Sequence, residues 1–105
     1  MEMVTAYYRS LDENDTDQLR TLLSPSFRQV RPDRTFEDRS AFLEFMASGR
    51  PRMDTTHDLQ RVVSDGTTVV ATGVVCSEED ETLLSFADVF TVEDGRIELL
   101  ETYTQ

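Results

Sequence analysis

Residues 84–103 read LSFADVFTVEDGRIELLETY. Two alternating runs flank Asp94-Gly95, a pair whose backbone favours the positive φ angles of a tight hairpin turn. The stretch therefore predicts a β-hairpin, with strands over Thr82–Val92 and Arg96–Thr104. Successive strand side chains point to opposite faces, so Leu84, Phe86, Asp88, Phe90 and Val92 share one side. Four of those five are apolar, which makes this the core face. Asp88 is an acid set between two phenylalanines.

The same alternation recurs over Thr55–Ser64 and Thr67–Ser77, on either side of Asp65-Gly66. That predicts a second tight hairpin, joined to the first by the solvated loop Glu78-Glu79-Asp80-Glu81. Before residue 54 the period is helical. Val4, Tyr7, Tyr8 and Leu11 follow the i, i+3, i+4, i+7 spacing of an amphipathic helix, interrupted at Asp12–Asp15. Asp15 can cap a second helix carrying Leu19, Leu22 and Leu23, which Ser24-Pro25 stops. A short extended piece, Phe27–Arg31, ends at Pro32. Asp38 caps a third helix with Phe42, Phe45 and Met46 on one face, closed by Gly49. Three helices and a short strand followed by a four-strand meander predict one α+β domain over residues 1–105, its curved, mostly antiparallel sheet closing over the helices.

The charge balance narrows the partners. The chain has 21 acids and 10 bases, net −11, and every base is arginine. Phosphate binding needs a basic footprint, so nucleic acid is not an expected partner, and anionic membranes are disfavoured for the same reason. No apolar run approaches the ~20 residues of a membrane span, and the start MEMVTAYYRS lacks a signal-peptide pattern. Cys76 is the single cysteine, which excludes an internal disulfide. A cytoplasmic protein is expected. The acidic, lysine-free composition also suits a salt-rich source, where screening relieves self-repulsion. Six arginines crowd residues 28–52 against four acids, a segment of net +2 in a chain that is otherwise −13. Pairing with neighbouring acids is the plainer account of them; a basic rim for an anionic ligand is the other.

The stretches YYRSLDENDTDQLRTLLSPSF, FEDRSAFLEFM and ADVFTVEDGRIELLETY resemble the nuclear-transport-factor-2-like superfamily, in its SnoaL-like and ketosteroid-isomerase-like branch. The resemblance covers nearly the whole chain. It implies a cone of three helices wrapped by a strongly bent sheet, with a pocket between them, and often a homodimer. It also implies several activities on one fold, from isomerases and cyclases to binding domains without turnover. Set against ketosteroid isomerases, the oxyanion-binding tyrosine falls on Tyr7 and the second, protonated donor on Asp88. The family's catalytic base, an aspartate before a proline, falls on Arg31-Pro32, and a cation cannot abstract a proton. A glycine that the family carries at a helix start is replaced by Asp38.

The candidate site residues follow. A buried Asp88 should favour its neutral form and could then donate a hydrogen bond to a developing oxyanion; pairing with an arginine is the plainer role. Tyr7 would be the companion donor, preferred to Tyr8 only through the resemblance. His57, the sole histidine, is the candidate to replace the missing base if it points inward. Phe86 and Phe90 would contact a ligand from the Asp88 face. Arg31 would bind an acidic group. Glu101 shares a face with Ile97, Leu99 and Tyr103, while Leu100 on the other face leaves the inward side of that strand open. No zinc, nucleotide or nucleophile motif occurs, so neither metal nor cofactor is expected. The expected partner is a small-molecule ligand bearing a carbonyl or hydroxyl. The expected function is cofactor-independent acid–base catalysis of isomerase, cyclase or hydratase type, or else a non-catalytic ligand-binding or homodimerisation domain.

Overall fold

The helical period at the N-terminus folds as α1, Glu2–Asp12, and the capped second segment as α2, Thr16–Leu22. A computed structural model describes residues 2–50 and 52–105. Val4, Tyr7, Tyr8 and Leu11 are all buried, as their spacing predicts. Asp15 accepts a hydrogen bond from the Gln18 N–H at 3.1 Å and so caps α2. Leu23, expected in that helix, is extended (φ −101°, ψ 139°) and opens strand β1, Leu23–Val30. The cause lies in Ser24-Pro25: proline disfavours helical backbone in the residue before it, so the helix stops early. Strand β1 tolerates Pro25 because its pairing is irregular between Leu23 and Arg28.

A two-residue strand not foreseen from the sequence, β2 (Thr35–Phe36), folds back on β1 through Gln29 and Val30. Helix α3, Arg39–Glu44, is capped by Asp38 onto the Ala41 N–H at 2.8 Å and continues as a π-helical turn, Phe45–Gly49. Four strands complete the chain: β3 (Thr56–Asp65), β4 (Thr68–Cys76), β5 (Thr82–Glu93) and β6 (Arg96–Thr104). Asp94 and Gly95 both take positive φ, as expected. In the first hairpin Asp65 stays in the strand and the turn is Gly66-Thr67, with positive φ at Gly66 alone.

The six strands form one sheet in the order β2-β1-β6-β5-β4-β3. Every pairing is antiparallel except β1 with β6, so the mostly antiparallel, helix-filled α+β cone is what the chain adopts. The helices fill the concave side. Phe42, from α3 and fully buried, meets Phe27 at 5.0 Å and Phe36 at 5.8 Å between ring centres. Burying one such ring contributes roughly 1.5–3 kcal/mol. This aromatic cluster anchors α3 against β1 and β2.

Candidate functional site

Between α1 and the concave face of the sheet lies a cavity of about 280 Å³. Strand alternation delivers Phe86 and Asp88 to it from β5 and Thr102 from β6, while α1 supplies Tyr7 and Tyr8 and β3 supplies His57. Asp88 is only 5% exposed. Its two carboxyl oxygens are both engaged: Tyr8 Oη donates to Oδ2 at 2.5 Å, and Thr102 Oγ1 donates to Oδ1 at 2.6 Å. Thr102 in turn accepts from Gln29 Nε2 at 2.9 Å, so the network reaches from α1 through β5 and β6 to β1.

The acid between the phenylalanines is thus a buried, doubly hydrogen-bonded carboxyl. Burial pushes it above the ordinary aspartate range, and the hydroxyls of Thr102 and Tyr8, with His57 and Arg31 nearby, hold back part of that rise. Burial, reinforced by the Asp88 charge, also raises Tyr7 and Tyr8 well above an ordinary phenol. Both therefore remain proton donors at neutral pH.

His57 points inward. Its Nδ1 lies 2.6 Å from Asp12 Oδ1, and its backbone N–H donates to both Asp12 oxygens at 3.1 Å. An ionised carboxylate can only accept, so Nδ1 carries the proton, and whenever the ring is neutral its lone pair lies on Nε2. The ring is flanked by Tyr8 and Phe86, at 5.2 and 5.6 Å between centres. Asp12 is the last residue of α1, so the helix end fixes both the start of β3 and the orientation of the imidazole.

The structure brings Asp88, Tyr7, His57, Arg31 and Phe86 together around the cavity. The tyrosine bonded to Asp88, however, is Tyr8, and the Tyr7 ring instead stacks on Phe42 and meets Phe90 edge-on. Phe90 is fully buried behind the lining, packed on both tyrosines, and does not reach the cavity. Glu101 is excluded as well. The β5–β6 pairing shifts between Thr91 and Val92, so Ile97 faces Val92 while Leu99 faces Thr91, and Glu98 is the extra residue of a bulge. A one-residue bulge flips the parity of everything beyond it. Ile97 and Leu100 both end up buried, Thr102 lies opposite Asp88, and Glu101 lies opposite Val89 on the other side of the strand.

Among the six arginines of residues 28–52, Arg28 pairs with Glu37 at 3.1 Å, Arg52 with Asp54 at 3.3 Å, and both Arg31 and Arg34 with Asp33 at 3.4 Å. Three of them, Arg31, Arg50 and Arg52, line the cavity. Nothing in the sequence marks Asp12, Thr102, Gln29 or Arg50 individually as site residues, and only the family resemblance prefers Tyr7 to Tyr8. Among the described residues no group of three His, Cys, Asp or Glu side chains is placed to hold a metal, and no helix is long and apolar enough to cross a membrane.

The site sits on a widely represented scaffold. A candidate polyketide cyclase from Sinorhizobium meliloti superposes over 98% of this chain and 94% of its own, with TM-score 0.85 and 20% identity. A candidate ketosteroid isomerase from Kribbella flavida superposes over 99% of this chain and 76% of its own, with TM-score 0.87 and 19% identity. A protein of the nuclear-transport-factor-2-like type and unknown function, from Burkholderia pseudomallei, covers 100% and is covered over 89%, with TM-score 0.84 and 19% identity. At such identities the likeness establishes the fold, which is nuclear-transport-factor-2-like. No curated protein matches significantly in sequence. A model of the SnoaL-like domain does match, over residues 4–99, so most of α1, the whole Asp88 strand and the start of β6 fall within it, and the chain belongs to the SnoaL-like domain family.

Proposed function

We propose that the cavity binds a small molecule bearing a carbonyl or hydroxyl and moves a proton on it without a cofactor, as an isomerase, cyclase or hydratase would. One observation carries this reading. A histidine oriented by a carboxylate and a buried aspartic acid network open onto the same small cavity. His57 Nε2 is suited to take a proton, and the Asp12 carboxylate stabilises the imidazolium that forms. Tyr7, whose hydroxyl has no hydrogen-bond partner among the described residues, is free to donate to a ligand oxygen. Asp88, held toward its neutral form, can add a second donor by giving its own proton in place of one of the bonds it now accepts. The base that ketosteroid isomerases place before a proline would here be supplied by His57, from a different strand.

The test is exchange of carbon-bound hydrogen. Small ketones and oxo acids are incubated with the protein in D₂O and followed by ¹H NMR. Deuterium incorporation next to the carbonyl, lost in His57→Gln, is the expected result. Ligands that bind without any exchange would leave binding without turnover as the function.

The same proposal places the protein in the cytoplasm of a salt-adapted cell, on the strength of its acidic, lysine-free composition. It also includes a homodimer through the outer sheet face, where Val30, Val63 and Tyr103 are exposed. Light scattering on the purified chain reads the dimer directly, and a monomer mass at high concentration removes it.

A further inference from the structure

The exterior of this protein is strongly acidic, yet Asp88 is the only acid among the described residues lining the cavity, against three arginines and His57. Behind three of these four basic groups stands an acid: Asp33 beside Arg31, Asp54 beside Arg52 and Asp12 beside His57. At physiological salt, fields decay over about 8 Å, so these close acids offset the cations they touch, while acids farther out on the surface count for little at the cavity.

Arg50 differs from the other arginines of the cavity. Arg31 and Arg52 each sit near a carboxylate, at 3.4 and 3.3 Å, whereas Arg50 has no ion pair among the described residues. Its Nη2 donates only to neutral acceptors, the Leu11 carbonyl at 3.3 Å and the Asn14 side-chain oxygen. Its Nε is buried without a hydrogen-bond partner, and so is Nε of Arg31, whose contact with Asp33 lacks hydrogen-bond geometry. Burial depresses the Arg50 guanidinium below its usual range, and the Asp12 charge, too far for an ion pair, holds back only part of that fall. Around these cations the walls are apolar, with Phe45 and Met46 from the end of the third helical segment and Leu11 from α1.

Building on the small-ligand reading above, we propose that the ligand is a small organic monocarboxylate, its carboxylate held by Arg50 and Arg31 and its apolar body against Phe45, Met46 and Phe86. A guanidinium meets a carboxylate with two parallel N–H···O bonds, so one anionic oxygen pair can satisfy an arginine that has no acid of its own. A single negative charge is favoured over a phosphate dianion, because Asp88 shares the cavity and each further charge on the ligand adds to repulsion whenever Asp88 is ionised. The ligand would then carry two polar ends, the carboxylate at the arginines and the reacting carbonyl or hydroxyl at Asp88 and His57.

Benzoate and benzamide test this, since they share shape and size and differ in charge. Each is titrated into the ¹⁵N-labelled full chain at fixed, low ionic strength, with inorganic phosphate as a third probe. Benzoate is expected to bind at least about tenfold more tightly than benzamide, a difference of ~1.4 kcal/mol. Added chloride should weaken benzoate alone. Arg50→Met, which keeps length and loses charge, should bring the ratio to about twofold or less. Arg50 also ties down the end of α1, so if that variant fails to fold, Arg31→Met is read instead and should reduce the ratio at least threefold. Arg28→Met, on the outside and paired with Glu37, should leave the ratio unchanged. Equal affinities in the wild type overturn the carboxylate assignment while leaving the cavity as a binding site. Tighter binding of phosphate than of benzoate overturns it in favour of a phosphorylated ligand. An unchanged ratio in the folded variants removes the two arginines from the site. If neither aromatic probe binds at tens of millimolar, the small-ligand reading falls together with this one.

Discussion

Replacing Tyr8 by phenylalanine removes one oxygen from the molecule and isolates the value of its bond to Asp88. The ring keeps its neighbours, Phe86 at 5.5 Å and Phe90 at 5.9 Å between centres, so packing is held nearly constant. What is lost is a 2.5 Å hydrogen bond to a carboxyl that is 5% exposed. Such a bond contributes about 1.5–3 kcal/mol when the acceptor is charged and about 0.5–1.5 kcal/mol when it is neutral. The penalty must therefore depend on pH, and its sign follows from the direction of the Asp88 shift. Burial raises Asp88 in the folded state, so its contribution to stability is complete below the unfolded value of ~3.9 and is lost as pH rises through the folded value. The Tyr8 hydroxyl limits that rise. Without it the folded value climbs further, and the loss of stability continues to higher pH. Urea denaturation of both proteins from about pH 4 to about pH 9 reads the difference. The expected result is a small penalty at the acid end, growing to about 2 kcal/mol or more at the alkaline end. Each kcal/mol corresponds to a fall of roughly 4–8 °C in Tm for a domain of this size. A penalty below about 0.5 kcal/mol that is flat with pH would mean that Tyr8 does not stabilise an ionisable Asp88.

Gly73→Ala tests the wall opposite Phe86: a Cβ there would lie 2.3 Å from the Asp58 backbone oxygen and 3.0 Å from Phe86 Cζ, at the β3–β4 irregularity. Neither strand can yield cheaply, so a loss of about 1–3 kcal/mol or more is expected in thermal melts, and wild-type stability would show that this close approach does not exist. Asp12→Ala should free the His57 ring, seen in ¹⁵N NMR as a mixture of tautomers in place of the Nδ1–H form. The same variant should speed exchange of the His57 amide by about tenfold or more, through loss of a charged acceptor. Unchanged tautomer and exchange would remove Asp12 from the account.

The sequence pattern reveals the faces and misses the rotations. Asp88 could be placed between buried phenylalanines because strand alternation is strict over Phe86–Phe90, and the structure keeps it so. Buried positions in α1 were equally legible from their spacing. Which tyrosine meets Asp88 was not, since Tyr7 and Tyr8 differ by ~100° of rotation about α1, and that rotation is set by packing against β5. The parity of β6 was hidden by the bulge at Glu98. An unbroken hairpin from Asp94-Gly95 would put Glu101 opposite Asp88, whereas the shift puts Thr102 there. The one signal of it in the sequence is the pair Ile97 and Leu100, both apolar yet on opposite faces of a regular strand. The link from Asp12 to His57 joins residues 45 positions apart, and only the return of β3 past the end of α1 creates it. Arg50 was legible as charge but not as a cavity arginine without an ion pair among the described residues, because that distinction depends on which acids reach the others.

The proposed chemistry needs Asp88 to be held toward its neutral form inside the cavity. Carbon-detected NMR titration of its carboxyl, with Asp88→Asn to assign the signal, measures this directly. The predicted midpoint lies above the unperturbed ~3.9 and moves higher still in Tyr8→Phe. A midpoint at or below ~3.9 would show a carboxylate stabilised in its charged form, and Asp88 could then not serve as a proton donor to a ligand.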